Sequence, residues 1–411
     1  MLTEQQKNAR ELLANFILDP HQKEIILTGS PGTGKSYLLQ DLTGILKEID
    51  ALNKMGFEIP YKKIVNTATT NKASRLINGR TIHSILMIKP QKDTSTGNDV
   101  LRRQGIPNIS GNIFFIDECS MIGDDLYEFI QSDILEKKNK IIYVGDKNQL
   151  PPVNSTFNIF NTDIPQVELT ELIRFNHEDV KQLIMDCRDH IDCPTIDNFI
   201  MNIQPSENIQ IVRNEDIADV FLSMGENDRI LGHTNKCVDL MNGALRSLKN
   251  QPNYIQEGDL VVCKSALPST PMSRKTYVEE IKTISTIQNA PESGMCYVTF
   301  TDASGRYKTF YNPDQYESVV KELYKKCAKK HDFYEYACFC ENVLKLRFCQ
   351  SATIYSAQGS TYDKVFINIE DLYATTKYGK PIVDPALRSR LFYVAASRAK
   401  EKIYLYYGRL R

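Results

Sequence analysis

The sequence predicts an α/β protein built on two parallel sheets, each half carrying a small insertion. Three observations support this. The 411 residues exceed one ordinary core, so two or more domains are expected. Short β-branched runs alternate with helical patterns over the first ~150 residues, and the alternation resumes downstream. Two Pro/Gly-punctuated or strand-rich stretches, 88–111 and 258 to 350, interrupt it.

The first set of strands is expected at 24–27, 63–65, 113–116 and 141–144, each followed at once by a polar or Gly-rich turn. In a parallel sheet such turns line up along the C-terminal ends of the strands, where ligands bind. Pro90, Gly97, Gly105, Pro107 and Gly111 break the pattern as a small insertion. The second set is expected at 167–169, 229–231, 352–354, 365–369 and 403–407. Short strands at 260–263, 282–287, 296–301 and 307–310 suggest a small β-barrel in the second insertion. Its remainder, 315–345, reads as helix, with Lys321, Lys325 and Lys329 on one face, either solvated or a nucleic-acid patch.

Apolar residues make up 42% and charged residues 25%, the balance of a soluble globular chain. No apolar run is long enough to span a bilayer. Residues 1–10 are polar and lack the apolar centre of a signal peptide, so a cytoplasmic protein with no membrane partner is expected. Lys plus Arg (50) nearly equals Asp plus Glu (51), so a nucleic-acid partner would have to be met by a local basic groove. Ten cysteines without a CxxC pair fit reduced thiols. Cys327, His331, Cys338 and Cys340 match no common zinc spacing and read as small apolar residues in a helical region.

Gly29, Ser30, Pro31, Gly32, Thr33, Gly34, Lys35 and Ser36 fit G-x-x-x-x-G-K-S/T between a strand and a helix expected over 36–46. Glycines let backbone amides turn inward on phosphates. Lys35 would neutralise the β- and γ-phosphates of ATP, and the Ser36 hydroxyl would ligate Mg²⁺. A second apolar strand delivers Asp117 and Glu118: one acid for the Mg²⁺ shell, the other to polarise the attacking water. Residues 145–152 follow the next strand. There Gln149, whose amide both donates and accepts, is either a γ-phosphate sensor or part of a loop closed by Pro151 and Pro152. Asp384-Pro385 starts a helix, as N-cap and N1, on which Leu387, Leu391, Val394 and Arg398 share one face. An arginine on an apolar stripe needs an anion, either a cleft phosphate or a buried carboxylate.

Taken in order, residues 29–36, Asp117-Glu118, residues 145–153, Gln358-Gly359 and Ser397-Arg398 resemble the motifs of superfamily 1 helicases, and specifically the 1B branch of Dda/RecD-like DNA helicases. Residues 2–9, 81–86, 168–174 and 234–239 extend the resemblance over almost the whole chain. It implies two RecA-like P-loop domains: 1–86 with 112–160, and 161–257 with 347–411. Residues 87–111 would be a pin insertion, and 258–346 an SH3-like barrel plus helical insertion. ATP and Mg²⁺ would sit between the two RecA-like domains while single-stranded DNA crosses both. The implied activity is ATP-driven 5′ to 3′ movement with unwinding of forked duplex, in replication, recombination or repair. The implied protein is a monomer with replication proteins as partners, in the cytoplasm or, for a phage-encoded chain, the host cytoplasm.

The resemblance also implies roles for single residues. Gln6 matches an adenine-reading glutamine, while Thr3 and Gln6 also form a T-x-x-Q capping box. Gly359 falls in a nucleotide-contacting motif. Arg174 and Arg398 match two arginine fingers. Thr69, Thr70, Asn71, Thr81, His83, Pro152, Asn235, Thr353 and Tyr355 match or neighbour nucleic-acid contacts. Tyr355 departs from the usual histidine and either stacks on a base or packs in the core. No aromatic residue lies between Met87 and Ile113, so the pin would need an aliphatic wedge such as Leu101 or Ile106, or would act by steric exclusion. Alternatives are an RNA helicase, a translocase that does not unwind, a nucleotide-gated clamp and a small-molecule P-loop kinase. The intact Glu118 argues against the clamp, and the distance from Lys35 to Arg398 along the chain argues against the kinase.

Overall fold

A computed structural model describes residues 2–152, 155–173, 177–267, 275–376 and 378–410. In chain order its strands begin with β1 (Glu24–Gly29), β2 (Lys63–Ala68) and β3 (Arg80–Thr81). A hairpin of β4 (Ile88–Lys92) and β5 (Asp99–Arg103) follows, then β6 (Asn112–Asp117), β7 (Lys140–Gly145) and β8 (Gln166–Leu169). Apart from the hairpin these form one sheet, ordered β3-β2-β6-β7-β1-β8, with every pairing parallel.

The apolar runs of β1, β6 and β7 are continuous because helices cover both faces of this sheet. Successive side chains point to opposite layers. Ile25, Leu27, Ile113, Phe115, Ile142 and Val144 pack with the helices Glu4–Leu18, Lys35–Leu42 and Ile45–Lys54. Ile26, Phe114, Ile116, Ile141 and Tyr143 face the layer that holds Leu126 and Ile130.

The chain continues with β9 (Ile209–Val212) and β10 (Arg229–Gly232). Next come β11 (Leu260–Cys263), β12 (Glu280–Asn289), β13 (Met295–Phe300), β14 (Ala303–Phe310) and β15 (Leu346–Phe348). The last strands are β16 (Ser351–Thr353), β17 (Tyr362–Asn368) and β18 (Ala399–Tyr406). The second parallel sheet is β16-β10-β17-β18-β9. The third sheet, β14-β13-β12-β11-β15, is antiparallel and wraps a separate core of Val261, Ile284, Val298, Tyr307 and Leu346. Its two ends approach each other: Leu344, just before β15, donates its N–H to Lys308 O of β14 at 2.7 Å and accepts from the Thr309 hydroxyl at 2.8 Å.

Three expectations are corrected. Residues 167–169 do not open the second sheet: they pair in parallel with β1, Leu27 opposite Val167, and form the edge of the first. A β-branched run bears no mark of which sheet it will join. The helix expected over 36–46 ends at Leu42, and a new one begins at Ile45 after Gly44. The helix expected over 315–345 is two, Asp314–Lys330 and Tyr334–Asn342, broken where His331 turns left-handed at φ 52°. Cys327 is buried with Phe333 and Tyr336, and no group of metal-ligating side chains forms among the described residues. Also among them, no helix is long and apolar enough to cross a membrane.

Candidate nucleotide site and nucleic-acid interface

The loop after β1 needs glycine for shape. A Cβ on Gly29 would come within 2.5 Å of Leu169 O, and Gly32 and Gly34 have φ of 91° and 80°. Thr33 ties the loop to itself by donating its hydroxyl to Ser30 O at 2.9 Å, and Pro31 stands half-exposed on the turn. Lys35 starts the next helix, and its ammonium lies over the loop, 2.5 Å from Gly29 O and 3.1 Å from Ser30 O. Ser36 follows it, exposed in the first turn of the helix. Gln6 forms the capping box and also touches the phosphate loop. Its amide oxygen accepts from Thr3 N at 3.0 Å, completing the capping box, and its amide nitrogen donates to Thr33 O at 3.0 Å, which sets it against Gly34.

Asp117 ends β6 beside Lys35. Glu118 follows with φ 53°, a left-handed conformation uncommon outside glycine. Its N–H donates to Asp117 Oδ1 at 2.9 Å, and its carbonyl accepts the Thr69 hydroxyl at 2.9 Å. Burial pushes the Glu118 carboxyl up to about 7, and the neighbouring Asp117 adds to the rise against Arg398 and Lys35. Burial also raises Asp117, against the Glu118 N–H bond and Lys35.

The second sheet supplies the opposite wall. Gly359, with φ 69°, turns so closely past Glu118 that a Cβ would lie 3.3 Å from Oε1. Arg398 is buried, and its guanidinium donates to Val394 O (3.0 Å), Ser360 O (3.2 Å) and Ser397 Oγ (2.8 Å), with Glu118 and Asp146 as nearby negative charges. The Asp384 cap is as expected, accepting from Leu387 N at 2.8 Å. The helix, however, ends at Ala396, so Arg398 is not on its apolar stripe but in the turn into β18. Gln149 is buried, and its amide oxygen accepts from Gln358 at 3.4 Å, across the two sheets. Arg174 lies outside the described residues.

Several residues at this wall carry no role in the sequence analysis. Asp146 is buried beside Lys35 and accepts the Tyr393 hydroxyl at 2.6 Å; burial raises its carboxyl. Arg390 donates to Lys147 O (2.8 Å) and Gln149 O (3.2 Å) and pairs with Asp192 (2.6 Å). Lys72 reaches from the first sheet to the Ser360 hydroxyl and lies 5.7 Å from the Tyr362 ring. The one signal available for Asp146 was its place directly after a strand. Tyr393 and Lys72 had none, because their partners are hundreds of positions away.

The expected nucleic-acid residues divide by environment. Thr70, Thr81 and Thr353 sit at the C-terminal ends of β2, β3 and β16, and each hydroxyl caps a short helix by accepting from the third residue on. Asn71 opens the helix after Thr70. Asn235 opens the helix after β10 and accepts from Arg347 at 3.0 Å. His83 is half-buried and burial lowers it, favouring the neutral ring. Pro152 is buried near Gly123. Tyr355 is half-buried and packs against the core of the second sheet.

The β4–β5 hairpin is not a free wedge. Phe333 N donates to Thr94 O at 3.0 Å, Lys92 lies 5.6 Å from the Tyr336 ring, and Gly97 packs against Phe333 and Tyr324. Leu101 packs into the first core. Ile106, 80% exposed, sits with Lys137 and Lys138 at the N-terminal end of β7, away from the nucleotide edge. Neither aliphatic wedge candidate therefore stands at the hairpin tip.

Comparison with known proteins agrees with this architecture. A family profile described as an AAA domain matches residues 16–155, and one for a UvrD-like helicase C-terminal domain matches 349–406. An uncharacterised protein of Acanthamoeba polyphaga mimivirus is 30% identical over 238 residues, 53% of this chain and 44% of that protein. RecD of Buchnera aphidicola (subsp. Schizaphis graminum) is 37% identical over 150 residues (32% of this chain, 23% of RecD), and human PIF1 is 32% identical over 142 residues (32% and 20%). The chain thus spans less than half the length of these curated relatives. Pif1 from Candida albicans has the same fold, with a TM-score of 0.53 at 17% identity over 100% of this chain and 95% of that one. Bacteroides Pif1 in complex with ADP-AlF3 and ssDNA gives 0.54 at 18% identity over 98% and 92%. The fold and site define a P-loop protein of two RecA-like domains, with residues 349–406 similar to a UvrD-like helicase C-terminal domain. Parts of the RecD and PIF1 helicases are similar to about a third of this chain, and the solved Pif1 structures share its fold.

Proposed function

We propose that the chain is an ATP-dependent DNA helicase that moves 5′ to 3′ on single-stranded DNA and opens forked duplex. The observation behind this is the juxtaposition of Lys35, Asp117, Glu118 and Asp146, on the edge of the first sheet, with Gly359 and Arg398 from the second. DNA as substrate rests on similarity to PIF1, described as an ATP-dependent DNA helicase, and the direction of movement on the motif resemblance to the 1B branch.

The residues fit ATP and Mg²⁺. The Gly29 and Gly34 positions leave no room for a side chain, and Gln358 Oε1 is buried with no hydrogen-bond partner in the cleft wall. Ser36 and Asp117 would hold Mg²⁺, which when bound neutralises phosphate charge. Lys35 grips the outer phosphates, Gln6 faces the adenine, and Glu118 orients the attacking water. Arg398 stabilises charge on the transferring phosphoryl group; such fingers are worth roughly 10³–10⁵ in rate elsewhere. Arg174 is proposed as a second finger on its motif alone. The helix starts at Thr70, Thr81, Thr353 and Asn235, on both sheets, offer amides and hydroxyls to a sugar–phosphate backbone without reading sequence. Closure of the cleft then becomes a step only if the two sheets grip the strand differently when open and closed.

The test is strand displacement from duplexes with a 5′ or a 3′ tail, with and without ATP, using wild type and Lys35→Ala. Displacement is expected from the 5′ tail only and is abolished by the substitution. Displacement from the 3′ tail alone overturns the direction, and none from either overturns the helicase assignment.

A further inference from the structure

Tyr393 has no part in the chemistry described above, yet its surroundings are unusual. It is 0% exposed, on a helix (Pro385–Ala396) buried almost all round. Its hydroxyl crosses from the second sheet's helix into the first sheet's site. There it donates to Asp146 Oδ2 at 2.6 Å and lies beside the Ser30 side chain of the phosphate loop. The other carboxylate oxygen, Asp146 Oδ1, accepts Asn148 N at 2.9 Å and so shapes the turn that carries Gln149. One turn earlier on the same helix, Arg390 holds the carbonyls of Lys147 and Gln149; just past its end, Arg398 faces Glu118.

One phenol therefore ties the phosphate loop, the Gln149 turn and the arginine-bearing helix into a single unit. A hydrogen bond from a neutral donor to a carboxylate in a dry site is charge-assisted and stronger than a neutral pair. It forms only while the two sheets are together, so it favours the closed cleft over the open one without touching nucleotide.

Building on the helicase reading, we propose that Tyr393 is a positioning residue that locks the closed cleft, registering Gln149 and Arg398 against the phosphate loop through Asp146 and Ser30. Its hydroxyl therefore counts toward turnover and toward binding of a transition-state mimic, but not toward binding of ADP, which the phosphate loop holds by itself.

Tyr393→Phe keeps the ring and removes the hydroxyl. Single-stranded-DNA-stimulated ATPase, thermal unfolding, and binding of ADP and of ADP–aluminium fluoride are measured for wild type, Tyr393→Phe, Asp146→Asn and the double variant. Tyr393→Phe is expected to lower stimulated kcat and affinity for ADP–aluminium fluoride about tenfold, with ADP affinity within about twofold of wild type. Asp146→Asn, which also removes a charge facing Lys35, is expected to be costly by itself, and the two substitutions to combine less than additively. Full kcat in Tyr393→Phe, equal loss of both ligands, or additive effects of the two substitutions would overturn the positioning role. A wild-type chain with no stimulated turnover would instead refute the helicase reading on which the role rests.

Discussion

Glu118 combines an uncommon backbone with an uncomfortable charge. A non-glycine residue in the left-handed region costs roughly 1–2 kcal/mol, and the carboxyl stands up to about 7 instead of its ordinary 4.5. Because the folded value is the higher one, this carboxyl binds its proton more tightly in the fold than in the unfolded chain. Its contribution to stability is thus fully present below about 4.5 and is lost as pH rises through about 7. Glu118→Gln is accordingly expected to abolish hydrolysis yet raise the stability of the nucleotide-free protein. The gain is small at low pH and of order 1–3 kcal/mol above neutrality. Thermal unfolding at acid and alkaline pH checks this; no gain at alkaline pH would mean that burial does not strain the carboxylate.

Among the elements, the β4–β5 hairpin is informative because its support comes from another part of the chain. Its own tip is polar, and Gly97 leaves the space that Phe333 and Tyr324 fill; at φ 73° few other residues are comfortable there. Phe333 is buried, so Phe333→Ala removes a packing contact worth about 3 kcal/mol in a core. The hairpin should then lose its brace, and unwinding in a single-turnover assay should fall several-fold while single-stranded-DNA-stimulated ATPase stays near normal. Equal loss of both would show that Phe333 supports the nucleotide domains instead. The threonine caps carry a related lesson. Thr70, Thr81 and Thr353 are legible in the sequence as hydroxyls after strands, but their accepting side is spent on helix starts. In the proposed DNA contact, the helix N-terminus they organise counts for more than a free hydroxyl.

Across the whole molecule, the two parallel sheets meet through a few long-range contacts. Leu150, from the loop after β7, packs within the core of the second sheet. Lys72, one residue past Asn71, meets Ser360, whose carbonyl also holds Arg398. Lys72→Met should therefore weaken the link between the proposed strand contact at Thr70 and Arg398. Stimulation of ATPase by single-stranded DNA is expected to fall by roughly tenfold. The DNA-free rate should change far less, and steady-state turnover with and without DNA checks it. A parallel loss of both rates would mark Lys72 as part of the hydrolytic site.

Much of this architecture is written locally. Glycines that must turn at positive φ, apolar runs that end in acids, and Asp384-Pro385 at a helix start are short-range requirements of the backbone, so they stand in the sequence as residue types at fixed spacing. The phosphate loop, Asp117-Glu118, most strands of both parallel sheets and the capping box at Thr3 and Gln6 were legible for that reason. Partner choice over long separations was not. That residues 167–169 join the first sheet, that Arg398 leaves its helix before facing Glu118, that Tyr393 reaches Asp146, and that Phe333 seats the hairpin are all decided by packing. A hydrogen bond between residues hundreds of positions apart leaves no periodicity in either segment. The sequence determined a two-sheet phosphate-binding machine; only the tertiary structure decided which side chains of one sheet complete the site of the other.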